Sequence, residues 1–249
     1  LNSIWVRLPL AKQRSRKNLG FVLSYDGNNM TNINSIKKKS NGVIRTIMQK
    51  LEVMKLKKYY YECALIFMNV MLRGSILYAS ETYYNLTENQ LRNIERIEER
   101  YLRQVLKTSK GCPIAQLYLE TGQWPARFEV QKSRLLFLKS IMGENEDSMI
   151  FKFFKLQLEQ PIKGDWVSAC QKDLHHLEIN QTFDEIRNMP TISFKKLVKA
   201  KIKEKAFTYL VNKRGSKGKE IQYSALEMAE YLLPFNDKMS IDEKQEYFL

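Results

Sequence analysis

Residues 57–128, KKYYYECALIFMNVMLRGSILYASETYYNLTENQLRNIERIEERYLRQVLKTSKGCPIAQLYLETGQWPARF, decide the fold class of this chain. The first part predicts one helix over about 57–84. A second opens at Thr87, where Thr-Glu-Asn-Gln is a capping box: the hydroxyl takes a free backbone amide while Gln90 reaches back to the cap. Leu91, Ile94, Ile97, Tyr101, Val105 and Leu106 recur at helical spacing and supply its buried face. Gly111-Cys112-Pro113 stops that helix, and Pro113 suits the first turn of a short one, IAQLYLETG. Gly122 ends it, and Pro125 starts another that runs to about Met142.

Upstream, Ile33, Ile36, Val43, Ile47, Leu51 and Met54 form an apolar stripe of helical period, with Lys37, Lys38 and Lys39 on its early turns. Basic side chains early in a helix oppose its dipole, so a functional reason for them is expected; Gly42 is a candidate break. Before that, IWVRLPL and LGFVLSY read as strands closed by the Asp26-Gly27 turn, which predicts a small β-hairpin within residues 1–30. The connecting block AKQRSRKN reads as a basic loop.

Downstream, helices are predicted over 149–160, 170–177, 183–189 and 194–211. The last carries Phe194, Val198, Ile202, Ala206 and Leu210 on one side and Lys195, Lys196, Lys199 and Lys203 on another, with Lys201 and Lys205 at the margins. RGSKGK after it reads as a flexible basic loop, and Ser240-Ile241-Asp242-Glu243 as a further capping box. The fold class is therefore mainly α, divided as 1–30 (hairpin), 31–142 (helical bundle) and 143–249 (helical basic region).

The 249 residues carry a formal charge of +14, and its distribution says more than its sum. Residues 1–50 hold ten Lys/Arg against one acid, and residues 191–249 hold twelve against eight. Between them, 51–110 has ten against seven and 111–190 nine against eleven. Two basic zones flanking a near-neutral middle are what a polyanionic partner requires, because each neutralised phosphate releases condensed counterions. Cys63, Cys112 and Cys170 are odd in number and unpaired in spacing, which argues against a disulfide framework or zinc module and points to a reducing nucleus or cytoplasm. No secretory signal is visible at the start. The most apolar window, 63–79, is interrupted by Asn69 and Arg73 and is too short to span a bilayer, so no membrane partner is expected.

Catalytic chemistry finds no foothold. Polymerases hold two divalent metals on paired carboxylates, yet no Asp-Asp pair occurs and Asp26 is the first acid in the chain. Glu98-Glu99, Glu146-Asp147, Asp184-Glu185 and Asp242-Glu243 read as exposed helix-face or cap acids. His175 and His176 are adjacent, and neighbours on a helix face different ways, so they cannot grip one metal together. There is no Gly-rich phosphate loop, no nucleophilic triad spacing and no small-molecule substrate in view. Among the aromatics, one of Tyr59, Tyr60 and Tyr61 must face the core, and Trp124 and Trp166 read as packing anchors.

The order of residues in 57–128, with DGNNMTNI before it, LRGSILY, QLYLETG and PARF within it, resembles the segment after the polymerase domain of LINE-type (non-LTR) retrotransposon reverse transcriptases of the Dong-like group. KGDW, FKKLVKAKI and KGKEIQYSALEMAEYL resemble the linker that leads in that family to a zinc knuckle and endonuclease. The resemblance implies that 1–30 is the end of the palm with its primer-grip hairpin, that 31–142 is a helical thumb, and that 143–249 is a linker. Leu19 and Gly20 match the last two positions of the family's Tyr-Leu-Gly grip, while Asn18 stands where the family has an aromatic.

It also implies that the chain is part of a longer RNA-directed DNA polymerase and binds RNA–DNA or DNA duplex without catalysing. No cofactor is expected in this chain, the magnesium ions belonging to the palm. Lys37, Lys38, Lys39 and Arg45 are the first candidates for backbone phosphates, and Lys195, Lys196, Lys199 and Lys203 the second. A stand-alone helical protein-interaction module and a non-functional domesticated remnant are the alternatives, and the composition leaves the oligomeric state open.

Overall fold

A computed structural model of the chain describes residues 15–18, 21–24, 29–54, 59–84, 86–109, 111–162 and 164–215, and over these the protein is mainly helical. Strands β1 (Ser15–Asn18) and β2 (Phe21–Ser24) pair antiparallel, with Ser15 opposite Ser24 and Asn18 opposite Phe21. β1 thus occupies part of the block expected as a loop, because a ladder is made by backbone groups that polar residues carry as well as apolar ones. The IWVRLPL run, Leu19 and Gly20 lie outside the described residues.

Helix α1 (Met30–Val53) buries Ile33, Ile36, Ile44, Ile47 and Leu51 along one side. It runs unbroken through Gly42. A helical glycine costs about 0.5–1 kcal/mol, less than the ~1.5–3 kcal/mol that burial of one isoleucine returns. Because α1 starts at Met30, Lys37 sits two turns inside it, beyond the reach of the N-terminal dipole, and the expected electrostatic cost at Lys37, Lys38 and Lys39 disappears.

The single helix predicted over 57–84 is shorter and interrupted. Helix α2 (Tyr60–Phe67) passes into a π-helical stretch (Met68–Arg73), a last turn α3 (Gly74–Ile76), and then a left-handed residue, Ala79, before the 3₁₀ turn Ser80–Thr82. Tertiary partners account for the early stop. Tyr83 is buried, its hydroxyl accepts a hydrogen bond from Asn32 Nδ2 at 2.8 Å, and its carbonyl accepts one from Arg134 Nε at 2.7 Å.

Helix α4 (Glu88–Val105) opens on the predicted capping box: Gln90 N donates to Thr87 Oγ1 at 3.3 Å and Thr87 N to Gln90 Oε1 at 2.9 Å. Helix α5 (Ile114–Glu120) ends where Gly122 takes φ 62°, so that Gln123 N bonds back to Tyr118 O and Gly122 N to Leu119 O, a Schellman closure. Helices α6 (Ala126–Met142), α7 (Met149–Glu159), α8 (Trp166–His176) and α9 (Phe183–Asn188) follow. Ser148, Asp165 and Thr182 cap the last three through side-chain oxygens, and Asp165 explains why α8 begins earlier than its apolar pattern predicts. Helix α10 (Thr191–Gly215) is longer than predicted at both ends, and takes in Arg214 and Gly215, which composition alone places in a loop.

Two buried clusters hold these elements. One joins α1, α2, α3, α4 and α5 through Ile33, Ile47, Met68, Leu72, Ile94, Tyr101 and Leu117. The other joins α6, α7, α8, α9 and α10 through Leu135, Leu138, Phe154, Cys170, Ile186, Phe194, Val198 and Ile202. Helix α6 serves both: Ala126 and Val130 face the first, Phe128 and Ile141 the second. Leu210 of α10 reaches back into the first. The 142/143 division drawn from sequence therefore falls at the end of a helix that both cores share.

Candidate nucleic-acid interface

Lys37, Lys38, Lys39 and Arg45 are all exposed, because the isoleucine stripe of α1 turns the remaining positions outward. They do not form one row. At about 100° per residue, Lys38 and Arg45 share a stripe with Asn41 and Gln49, Lys37 flanks it on the side of Ile44 and Met48, and Lys39 faces away from both. Lys195, Lys196, Lys199 and Lys203 are likewise exposed on α10. Lys195, Lys199 and Lys203 form a ridge one residue ahead of Phe194, Val198 and Ile202, about 100° round the helix. Lys201 and Lys205, half-buried, pair instead with Glu204 (3.2 Å) and Glu178. The two basic faces belong to different packing neighbourhoods: α1 lies against α2, α3 and α4, and α10 against α5 and α6.

A cleft of about 460 Å³ opens between α1 and α4, lined by Asn41, Ile44, Arg45, Met48, Gln49, Glu52, Arg100 and Gln104. Of these only Arg45 is a candidate from the sequence. Arg100 and Gln104 stand one turn apart on α4, beside the buried Tyr101, and their i, i+4 spacing is the signal that the sequence offers. Neither Arg45 nor Arg100 makes a hydrogen bond or ion pair among the described residues.

The middle of the molecule uses its charges differently. Glu98, expected with Glu99 to be an exposed acid, is wholly buried. Its carboxylate accepts hydrogen bonds from Arg73 Nε (2.8 Å), Tyr118 Oη (3.0 Å) and the Ala126 amide (2.9 Å). Burial pushes the Glu98 carboxyl upward, while Arg73 and Tyr118 draw it back. Arg73 donates also to Asn69 Oδ1, Gln123 Oε1 and the Trp124 carbonyl. Glu95 and Glu99 are buried as well, held by Arg127 at 2.5 Å and Arg92 at 2.6 Å. Arg134 pairs with Asp173 at 2.5 Å and ties α6 to α8. The partners of Glu98 come from distant parts of the chain while Glu99 is held by Arg92 of its own helix, so the adjacency of Glu98 and Glu99 says nothing of their burial. Glu185 is exposed and caps α9, and Glu146 and Asp147 are exposed in the loop before α7.

Trp124 and Trp166 are half-buried; Trp124 Nε1 donates to Glu129 at 2.5 Å and Trp166 Nε1 to the Glu81 carbonyl at 2.8 Å. Both pack against the second core. Tyr60 packs on the first core, while Tyr59 and Tyr61 are exposed. His175 and His176 are exposed at the end of α8. Among the described residues no group of three or more His, Cys, Asp or Glu side chains is placed to hold a metal ion, and no helix is long and apolar enough to cross a membrane. No protein-family model, no curated protein and no solved structure matches the chain.

Proposed function

We propose that this chain is the thumb and post-thumb linker of a non-LTR retrotransposon reverse transcriptase, gripping template–primer duplex by its phosphates and leaving catalysis to a palm with its own magnesium ions. In this reading 1–30 ends the palm, with Leu19 and Gly20 in the primer grip, 31–142 is the thumb and 143–249 the linker. A nuclear or cytoplasmic location goes with it.

The observation that carries it is the exposure of the basic side chains of α1 and α10 in a protein that buries so many other charges. Lys37, Lys38, Lys39 and Arg45 on α1, and Lys195, Lys196, Lys199 and Lys203 on α10, face solvent, whereas Arg73, Arg92, Arg127 and Arg134 are taken up by carboxylates. Cationic side chains on a rigid helix hold a duplex backbone by shape and charge.

Titrating an RNA–DNA hybrid into the protein at increasing salt tests this. Log-linear weakening is expected, with the slope reduced by about 0.9 for each contacting lysine replaced by glutamine. Binding that is absent or indifferent to salt would remove the reading. A second reading, a helical protein-interaction module, is favoured by the outer face of α7, where Met149, Phe153 and Leu156 are exposed beside the buried Phe151 and Phe154. A salt-indifferent result would bring that face forward.

A further inference from the structure

The cleft between α1 and α4 borders the α1 stripe that carries Lys38 and Arg45, and adds to it Arg100 and Gln104 from α4. We propose that it seats a segment of single-stranded nucleic acid, with phosphates on Arg45 and Arg100 and base edges against the amides of Asn41, Gln49 and Gln104. The proposal rests on the nucleic-acid reading above and assigns a second, distinct strand geometry to it.

Three features of the cleft argue for this ligand. Arg45 and Arg100 have no partner among the described residues, unlike the arginines of the interior, so their planar donor forks are available for bidentate contact with a phosphate. The amides of Asn41, Gln49 and Gln104 line the same space; each offers donors and an acceptor together, as base edges do and as a surface that reads only phosphate does not require. Ile44 is buried and Met48 half-buried beneath them, giving an apolar, polarisable floor for a base or sugar.

Size and charge order refine the choice. The volume of about 460 Å³ falls in the range of sites that hold one small ligand, which corresponds here to one nucleotide unit of a passing strand. Glu52 stands at the C-terminal end of the α1 lining. Its carboxylate repels phosphate there and accepts from a base amino group or sugar hydroxyl, so the phosphates belong toward Asn41 and Arg45. Lys37 and Lys38 lie one turn before Asn41 and extend the positive surface in that direction.

The test uses the full 249-residue chain and two labelled probes, a short single-stranded oligonucleotide and the matching RNA–DNA hybrid, read by fluorescence anisotropy across a salt series. R100Q is expected to weaken single-strand binding about tenfold, the loss of one charge-assisted contact, and to reduce the single-strand salt slope by about 0.7. Hybrid binding should change less than about twofold, because Arg100 lies off the lysine faces. R45Q should weaken both probes. Q104A should shift preference among homopolymer strands and leave the salt slope alone. Thermal melts of each variant should match the parent, since the replaced groups are exposed or half-exposed.

If R100Q leaves single-strand binding unchanged while hybrid binding persists, the cleft assignment fails and the duplex reading survives. Single-strand binding that depends on Arg100, in a protein that ignores the hybrid, overturns the duplex reading and keeps the cleft. Binding of neither probe removes both. Displacement of the single strand by an acidic peptide at equal charge concentration would show a generic polyanion surface and overturn the proposed base contacts.

Discussion

Helix α4 and helix α1 are packed neighbours that put their charges to opposite uses. On α4, Arg92, Glu95, Glu98 and Glu99 turn inward or along the packed surface and find partners on the same helix, on the π-helical stretch or on α6. On α1, Lys37, Lys38 and Arg45 reach into solvent. A buried charge must be paired and hydrogen-bonded to persist, so the interior set is tied to stability and specificity of packing. An exposed charge adds little to stability, so the exterior set is left to serve a partner. Composition already distinguishes the two helices, five bases against one acid on α1 and four against four on α4, but only the tertiary neighbours decide which acids of α4 are buried.

This contrast is most vulnerable at its buried centre. Replacing Glu98 with alanine leaves Arg73 Nε without its acceptor and only the more distant Glu129 (3.8 Å) to balance its charge, removes the acceptor of the Tyr118 hydroxyl and the Ala126 amide, and should cost about 3–5 kcal/mol in urea denaturation. Replacing Arg73 and Glu98 together with apolar residues of similar volume should cost less; an equal loss would mean that the orphaned Tyr118 hydroxyl and Ala126 amide, and not an uncompensated charge, dominate.

Alkaline pH loads the same interior. Burial pushes the Tyr83 phenol up to about 12, with the hydrogen bond from Asn32 pulling the other way. Burial also raises Tyr101 and Tyr118. The folded form therefore holds these protons longer than the unfolded chain does. The resulting stability is intact below the ordinary phenol range and is lost as pH rises through about 12 for Tyr83. Each pH unit by which folding delays a phenol's ionisation is worth about 1.4 kcal/mol. The phenolate absorbance lost on replacing Tyr83 by phenylalanine should appear, in the parent, together with loss of helical circular dichroism. Titration of Tyr83 at the ordinary phenol value with the helices intact would count against its burial.

A smaller effect is expected at the edge of α4. Thr87→Ala removes the hydroxyl half of the capping box and should cost about 1 kcal/mol, seen as a lower denaturation midpoint with unchanged denaturant dependence. Least of all should happen to stability on the outer faces: Lys195→Gln and Lys199→Gln should each stay within about 0.5 kcal/mol, yet flatten the salt dependence of hybrid binding. A large stability loss there would erase the contrast between inner and outer charge.

Local rules suffice where the determining contacts are themselves local. The Thr87 box, the Gly122 stop and the isoleucine stripe of α1 each depend on residues within a turn or two, and the structure has all three. The same rules miss the end of the 57–84 helix, because what stops it are the bonds of Tyr83 to Asn32 and Arg134, each 51 residues away. They miss Glu98 for the same reason, its partners lying 25, 20 and 28 residues off. Exposure of the candidate lysines follows from periodicity, whereas the grouping of Arg45 with Arg100 and Gln104 requires two helices to meet.

The order of residues is enough to make this protein mainly helical, to mark where most helices begin and end, and to gather its positive charge before and after a near-neutral middle. Those properties are set by backbone capping, by apolar period and by composition, all readable along the chain. The assembled fold alone settles which charges are interior, where the π-helical stretch delivers Arg73 to Glu98, that α6 is the wall common to two cores, and that a cleft lies between α1 and α4. Burial and pairing are properties of neighbours in space, and those neighbours are separated by tens of residues in the chain.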